Sequence, residues 1–256
     1  MGGPGMKMQA ERLKVIEPLP LPLHERLFDD GEQLAQALAK QVAADLRGAL
    51  ARHGEACIAL SGGNTPKRFF QALSTQTLDW ARVTVLPIDE RWLPPEHPRS
   101  NERLLREFLL QHNAAVARLL PLYRPTETPE AALMPVLTKI ANEGLPLDVA
   151  VLGMGDDGHV ASLFPDLGYD NPALREIGLQ PRGRAPVMSI RTAAMPEPRM
   201  TLTLSAIFTA PALYLHIEGE KKRAVLDGAQ RDPRSALPIR SVLSGAPVTP
   251  TLYWSP

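Results

Sequence analysis

Four short, largely apolar runs in this chain each end abruptly in a polar cluster rich in glycine or charge. Residues 57–60 run into Ser61-Gly62-Gly63-Asn64-Thr65, and residues 83–88 run into Asp89-Glu90-Arg91. Residues 147–152 lead into the turn 153–159, and residues 212–218 lead into Gly219-Glu220-Lys221-Lys222. Runs that are apolar throughout, rather than at every second position, suit strands buried on both faces of a parallel sheet. Parallel strands need helical crossovers, so this punctuation constrains the whole chain to an α/β layout with helices between the runs.

The intervening segments agree. Leu34, Ala35, Leu38, Ala39, Val42 and Leu46 recur at helical spacing within 31–53. A helix is expected from Thr65-Pro66, with Thr65 as N-cap and Pro66 at the first helical position. Ser100 caps another that runs to about residue 110, and further helices are expected at 129–143, 220–229 and 237–244. Residues 166–186 read as loop, with Pro172, Pro181 and Pro186. Residues 187–191 and 200–204 read as short antiparallel strands, and 251–254 as a last strand. The expected architecture is a Rossmann-like three-layer α/β fold with a mostly parallel central sheet, helices on both faces and a small antiparallel addition. No linker divides it, so residues 11–256 are expected to form one domain behind a disordered leader over 1–10.

Composition removes several classes. Lys plus Arg and Asp plus Glu both number 28, a net charge of zero, which argues against a nucleic-acid binder. Cys57 is the only cysteine, which excludes an intrachain disulfide and a cysteine-based zinc site. No apolar run reaches the length of a membrane span, and the N-terminal residues carry no apolar signal region, so a cytoplasmic protein is expected.

Ligands of open α/β sheets bind beyond the carboxyl ends of the strands, where all four clusters fall. The glycines of the Ser61–Thr65 cluster let backbone N–H groups approach an anion, and the following helix N-terminus adds unpaired donors and partial positive charge. The alternative is a plain strand-to-helix turn. In the second cluster, Asp89 can orient a water or a sugar hydroxyl, and Arg91 can fork onto a phosphate. Asn101 faces either solvent or the cleft. Gly153, Gly155 and Gly158 satisfy G-x-G-x-x-G, but Pro165 stops any long helix and no acid-ended strand follows about 20 residues on, which sets a dinucleotide site aside. The glycines then serve to present Asp157 and His159, whose imidazole can take a proton near neutral pH. Asp156, Asp157 and His159 lack a second histidine at metal-ligand spacing, so no metal is expected. The other five histidines, His216 among them, read as surface or packing residues. Lys221, Lys222 and Arg199 are candidate cations.

Together these segments resemble the 6-phosphogluconolactonase family of the pentose phosphate pathway. The resemblance rests on LSGGNTPKRFF (60–70), DERW (89–92), SN (100–101), GMGDDGHVASLFP (153–165), RMTLTLSAI (199–207) and GEKKRAVL (219–226). The related glucosamine-6-phosphate deaminases typically read GHIAFNEP. This chain has Phe164 where they carry a glutamate, which favours a hydrolase over a deaminase or isomerase. A non-catalytic sugar-phosphate sensor is the other rival, and the intact His159 argues against it.

The resemblance implies hydrolysis of 6-phospho-D-glucono-1,5-lactone, with His159 as general base toward water. Asp89 and Asp157 share the orienting roles, without a decision between them. It implies a substrate and phosphate site made of Ser61, Gly62, Gly63, Asn64, Thr65, Arg91, Asn101, Gly155, Arg199 and Lys222, with Lys222 preferred to Lys221 by the family's G-x-x-K spacing. The N–H groups of the turn glycines are expected to steady the oxyanion. No cofactor is implied. The one partner expected is a small phosphorylated sugar lactone, bound by a monomer or weak homo-oligomer.

Overall fold

The computed structural model describes residues 19–192 and 195–256, so the leader expected over 1–10 lies outside the described residues. In chain order the strands are β1 (His24–Leu27), β2 (Ala56–Leu60), β3 (Val83–Pro87), β4 (Asp89–Arg91), β5 (Arg118–Leu119), β6 (Val149–Leu152), β7 (Val187–Ile190), β8 (Arg199–Leu202), β9 (Ala212–Glu218) and β10 (Thr251–Ser255). The helices are α1 (Gly31–His53), α2 (Lys67–Ser74), α3 (Asn101–Phe108), α4 (Pro129–Glu143), α5 (Pro172–Leu179), α6 (Leu204–Ile207), α7 (Glu220–Arg231) and α8 (Pro238–Gly245).

Seven strands form one sheet in the order β1-β10-β9-β6-β2-β3-β5, every pair parallel. Strands β4, β8 and β7 form the small antiparallel sheet. Period-two alternation sends each central strand into two cores. On β2, Ala56, Ile58 and Leu60 pack toward α1 and α2, while Cys57 and Ala59 pack toward α4, α7, α8 and the small sheet. Both faces being covered is why the runs read as continuously apolar. None of the described helices is long and apolar enough to cross a membrane.

The chain leaves β2 outward through β3 and β5, then returns to β6 on the other side of β2. That reversal opens a crevice beyond the carboxyl ends of β2 and β6, the usual ligand position in such sheets. Strands β9, β6, β2 and β3 are consecutive in the sheet, so the four polar clusters that follow them share one edge. Ile88 joins the two sheets: its N–H donates to the Leu60 carbonyl (2.9 Å), and its carbonyl accepts from Leu202 (2.8 Å). The next residue, Asp89, is thereby delivered to the rim of the crevice.

The structure corrects three expectations. Helix α2 begins at Lys67 with Pro66, not Thr65, at the N-cap and no side-chain cap; Thr65 stays in the turn. The stretch 166–186 is not all loop, because Asn171 accepts from Ala173 N and Pro172 starts α5. Asp89-Glu90-Arg91, expected as a polar cluster beyond a strand, is itself a strand of the small sheet. Edge strands β1 and β5 are additions. All four residues of β1 are exposed, and β5 has two residues, so neither leaves an apolar run in the sequence.

Candidate active site

The crevice holds a cavity of about 190 Å³. Its walls include Ser61, Gly62, Gly63, Asn64, Thr65, Asp89, Arg91, Asn101, Gly155, His159, Arg199 and Lys222. Asp157 is not on the wall; it supports His159 from behind.

The turn after β6 builds a carboxylate–imidazole pair. Asp157 Oδ1 lies 2.6 Å from His159 Nδ1 and also accepts the His159 backbone N–H at 3.1 Å. With Nδ1 engaged, Nε2 is the ring nitrogen left for chemistry. Burial pulls the Asp157 carboxyl up, but the backbone N–H and the charge and ring of His159 outweigh it, holding the group below the usual carboxylate range. Gly155 permits this closeness, since a Cβ there would sit 2.1 Å from His159 Nδ1. The Gly155 N–H donates to the His159 carbonyl (2.9 Å) and the Gly158 N–H to the Gly155 carbonyl (3.0 Å), so neither donor is open to a ligand. Gly155 therefore shapes the pair from its place on the cavity wall, with its own N–H engaged inside the turn.

The turn after β2 does the opposite with its donors. Among the described residues, the N–H groups of Gly62, Gly63, Asn64 and Thr65 find no protein acceptor, at the entrance to α2. Gly63 takes φ 99°, a left-handed conformation open to glycine. Gly62 is fixed by contact: a Cβ would fall 1.9 Å from Asn101 Oδ1. Ser61 Oγ is buried and without a partner in the protein.

The far wall is a buried polar network. Asn101 Nδ2 donates to the Asp89 carbonyl (2.8 Å) and to Oδ1 (3.2 Å), while Oδ1 of Asn101 accepts from Arg91 (3.0 Å). Ser162 Oγ donates to Asp89 Oδ2 (2.5 Å), and Arg199 Nη1 lies 3.5 Å from the same oxygen and 3.4 Å from Ser162 Oγ. Arg91 also donates to the Arg99 carbonyl (2.7 Å) and approaches Glu197 (3.6 Å). Beneath this, fully buried Glu90 accepts the backbone N–H groups of Arg91, Asn101 and Glu102 and the Ser100 hydroxyl, which anchors the start of α3. Burial pushes its carboxyl up to about 7 in spite of those donors.

The turn after β9 separates the two lysines. Lys222 lines the cavity, whereas Lys221 pairs with exposed Asp156 at 2.8 Å. Three further residues were not singled out from sequence. Ser162 is one. His216 is another: it is packed edge-on against Phe69, approaches Glu218 (3.4 Å), and also forms part of the cavity wall. Burial pushes its imidazole below the ordinary histidine range. A polar residue inside an otherwise apolar strand run was the available signal. Glu218 is the third, and it also meets Arg68 at 3.5 Å. Cys57 is no nucleophile candidate: its thiol donates to the Gly144 carbonyl, and burial pushes its pKa up to about 12. No cluster of three or more metal-ligating side chains occurs among the described residues.

Comparison with known proteins matches residues 29–254 to the family described as glucosamine-6-phosphate isomerases/6-phosphogluconolactonase. A 6-phosphogluconolactonase of Rhizobium meliloti is 45% identical over 231 residues, covering 90% of this chain and 97% of that protein. One of Pseudomonas aeruginosa is 38% identical over 239 residues, covering 93% and 97%. The crystal structure of a 6-phosphogluconolactonase from Shewanella baltica superposes with a TM-score of 0.85 at 37% identity, covering 91% of this chain and 98% of that one. A monomeric glucosamine-6-phosphate deaminase shares the fold at 18% identity and a TM-score of 0.69. The chain belongs to the glucosamine-6-phosphate isomerase/6-phosphogluconolactonase family.

Proposed function

We propose that this protein hydrolyses 6-phospho-D-glucono-1,5-lactone to 6-phospho-D-gluconate in the pentose phosphate pathway. The observation that carries the reading is the Asp157–His159 pair opening into the same cleft as four unengaged backbone N–H groups and Lys222. The relatives named above support the choice of substrate.

In this reading His159 Nε2 takes a proton from water as the water oxygen bonds to the lactone C1. Asp157 keeps Nδ1 protonated and steadies the imidazolium. The tetrahedral intermediate then collapses, the bond from C1 to the ring oxygen breaks, and the imidazolium returns its proton to that oxygen. The product carboxylic acid ionises in water. General-base assistance of this kind contributes about 10²–10⁴ in rate. Asp89 acts differently: engaged by Asn101, Ser162 and Arg199, it orients neighbours rather than shuttling protons. The 6-phosphate is held by the Gly62–Thr65 donors, the α2 entrance, Lys222 and the cations Arg91 and Arg199. With Gly155 and Gly158 committed and the Gly62–Thr65 donors given to the phosphate, the turn glycine left to donate to the oxyanion is Gly153, whose N–H has no acceptor among the described residues. Phe164, stacked on His159, occupies the position at which the deaminase pattern needs an acid.

The test is acid release from freshly made lactone, with spontaneous hydrolysis subtracted. Catalysis by the wild type is expected. Ammonia release from glucosamine 6-phosphate with no lactone turnover would overturn the assignment.

A further inference from the structure

Phe164 lies where two side chains of the cleft meet. Its ring stacks on the His159 imidazole with centroids 4.1 Å apart and planes 15° apart. The Arg199 guanidinium carbon is 5.4 Å from the centre of the same ring. The local chain is shaped for this contact. Ala161 holds φ 53°, a left-handed conformation uncommon for a residue with a Cβ. Leu163 N–H donates back to the Val160 carbonyl (2.9 Å), and these two residues form an isolated bridge. The reversal returns Phe164 beneath the histidine five positions earlier, where it is 7% exposed.

The hydrogen bond to Asp157 fixes His159 at one atom and leaves the tilt of the ring free about that contact. A parallel aromatic face removes that freedom. Arg199 is held in a similar way: Asp89 and Ser162 engage one terminal nitrogen, its Nε has no partner, and the Phe164 ring supports the guanidinium. We propose that Phe164 is a positioning residue, a shared aromatic platform that keeps the His159 base and the Arg199 cation in one fixed relation. This deepens the lactonase reading and rests on it for its kinetic arm.

Phe164→Leu removes the aromatic face while keeping an apolar side chain, and Phe164→Tyr retains the ring. With both variants shown folded by circular dichroism and thermal melting, Phe164→Leu is expected to lower kcat about tenfold to a hundredfold, the scale of a small misplacement of reacting groups. Phe164→Tyr is expected to stay within about threefold of wild type. In ¹⁵N-edited spectra of the histidine side chains, identified by the signals lost in His159→Gln, wild-type His159 is expected to show one Nδ1-protonated tautomer. Phe164→Leu should keep that tautomer, because Asp157 still engages Nδ1, but show broadened signals as the ring tilts. A folded Phe164→Leu with kcat near wild type, or a Phe164→Tyr as impaired as the leucine variant, would overturn the proposal. If the wild type itself turns over no lactone, the lactonase reading fails on its own, and the spectra still decide: a His159 spectrum unchanged in Phe164→Leu removes the platform.

Discussion

The two walls of the cleft are built on opposite plans. On one side His159 and Asp157 lean out on a glycine-rich turn, 27% and 47% exposed, with one side-chain contact between them. On the other, Asp89, Asn101, Ser162 and Glu90 are buried, and their polar groups are bonded to one another or to backbone. A proton shuttle needs access to water and a free nitrogen; a scaffold needs every polar group satisfied, because a buried orphan costs about 1–3 kcal/mol. The difference separates the residues whose loss should stop chemistry from those whose loss should also loosen the fold.

The sharpest test of that division is His159→Ala. Enzyme-dependent lactone hydrolysis is expected to fall by about 10²–10⁴. The melting temperature should stay near wild type, since the ring supports no buried network. Parallel loss of activity and stability would place His159 with the scaffold and erase the contrast. Asp89→Asn should behave in that second way. The new amide would set a donor against Arg199 and leave a cation only 11% exposed without its carboxylate. A stability loss of about 2 kcal/mol in urea is expected along with reduced turnover. A stable but inactive Asp89→Asn would move Asp89 to the proton-handling side.

These contrasts were unevenly legible in the sequence. The four strand-end clusters stand out because β9, β6, β2 and β3 are buried on both faces, which turns each into an apolar run with a sharp end. Which cluster residue does what was less visible. Asp89 and Asp157 look equivalent as letters, and only the fold puts one against His159 and the other among Asn101, Ser162 and Arg199. Arg91 reads as a free phosphate fork, yet part of its guanidinium is engaged by the Arg99 carbonyl and Asn101, contacts set by the fold of 92–100. Gly155 reads as a ligand contact because glycine in a turn suggests open backbone, yet its N–H is engaged by the His159 carbonyl and its missing Cβ makes room for the ring. Helix α5 could have been found, since Asn171-Pro172 is a regular cap and first-turn pair. Strand β1 could not, because nothing in four exposed residues distinguishes them from a loop.

A smaller effect separates the paired lysines beyond β9. Lys222→Ala should raise KM for the phosphorylated lactone about tenfold, in line with loss of one charge-assisted contact, and leave kcat nearly unchanged. Lys221→Ala should change neither, because its partner is the exposed Asp156. Equal KM shifts in the two variants would mean that the turn moves on binding.

Glu90, deepest in the buried wall, does not line the cavity, so its replacement should bear on stability more than on turnover. Glu90→Gln keeps a carbonyl for two donors but turns an NH₂ toward the Glu102 N–H, so the start of α3 should weaken by about 1–3 kcal/mol. Activity at saturating substrate should remain within a few-fold while the protein is folded, because Asn101 still has its contacts to Asp89. The pH dependence supplies an independent check. Burial holds the folded pKa of Glu90 at about 7, above its ordinary value of 4.5, so the folded state binds this proton more tightly than the unfolded chain. The resulting stabilisation is fully present below pH 4.5 and is lost as pH rises through 7. Urea midpoints of the wild type should carry that decline, and Glu90→Gln, with nothing to titrate, should remove this component from the pH profile. A variant that keeps the wild-type pH slope would show that the three backbone N–H groups hold Glu90 ionised throughout, and that the wall's pH response originates elsewhere.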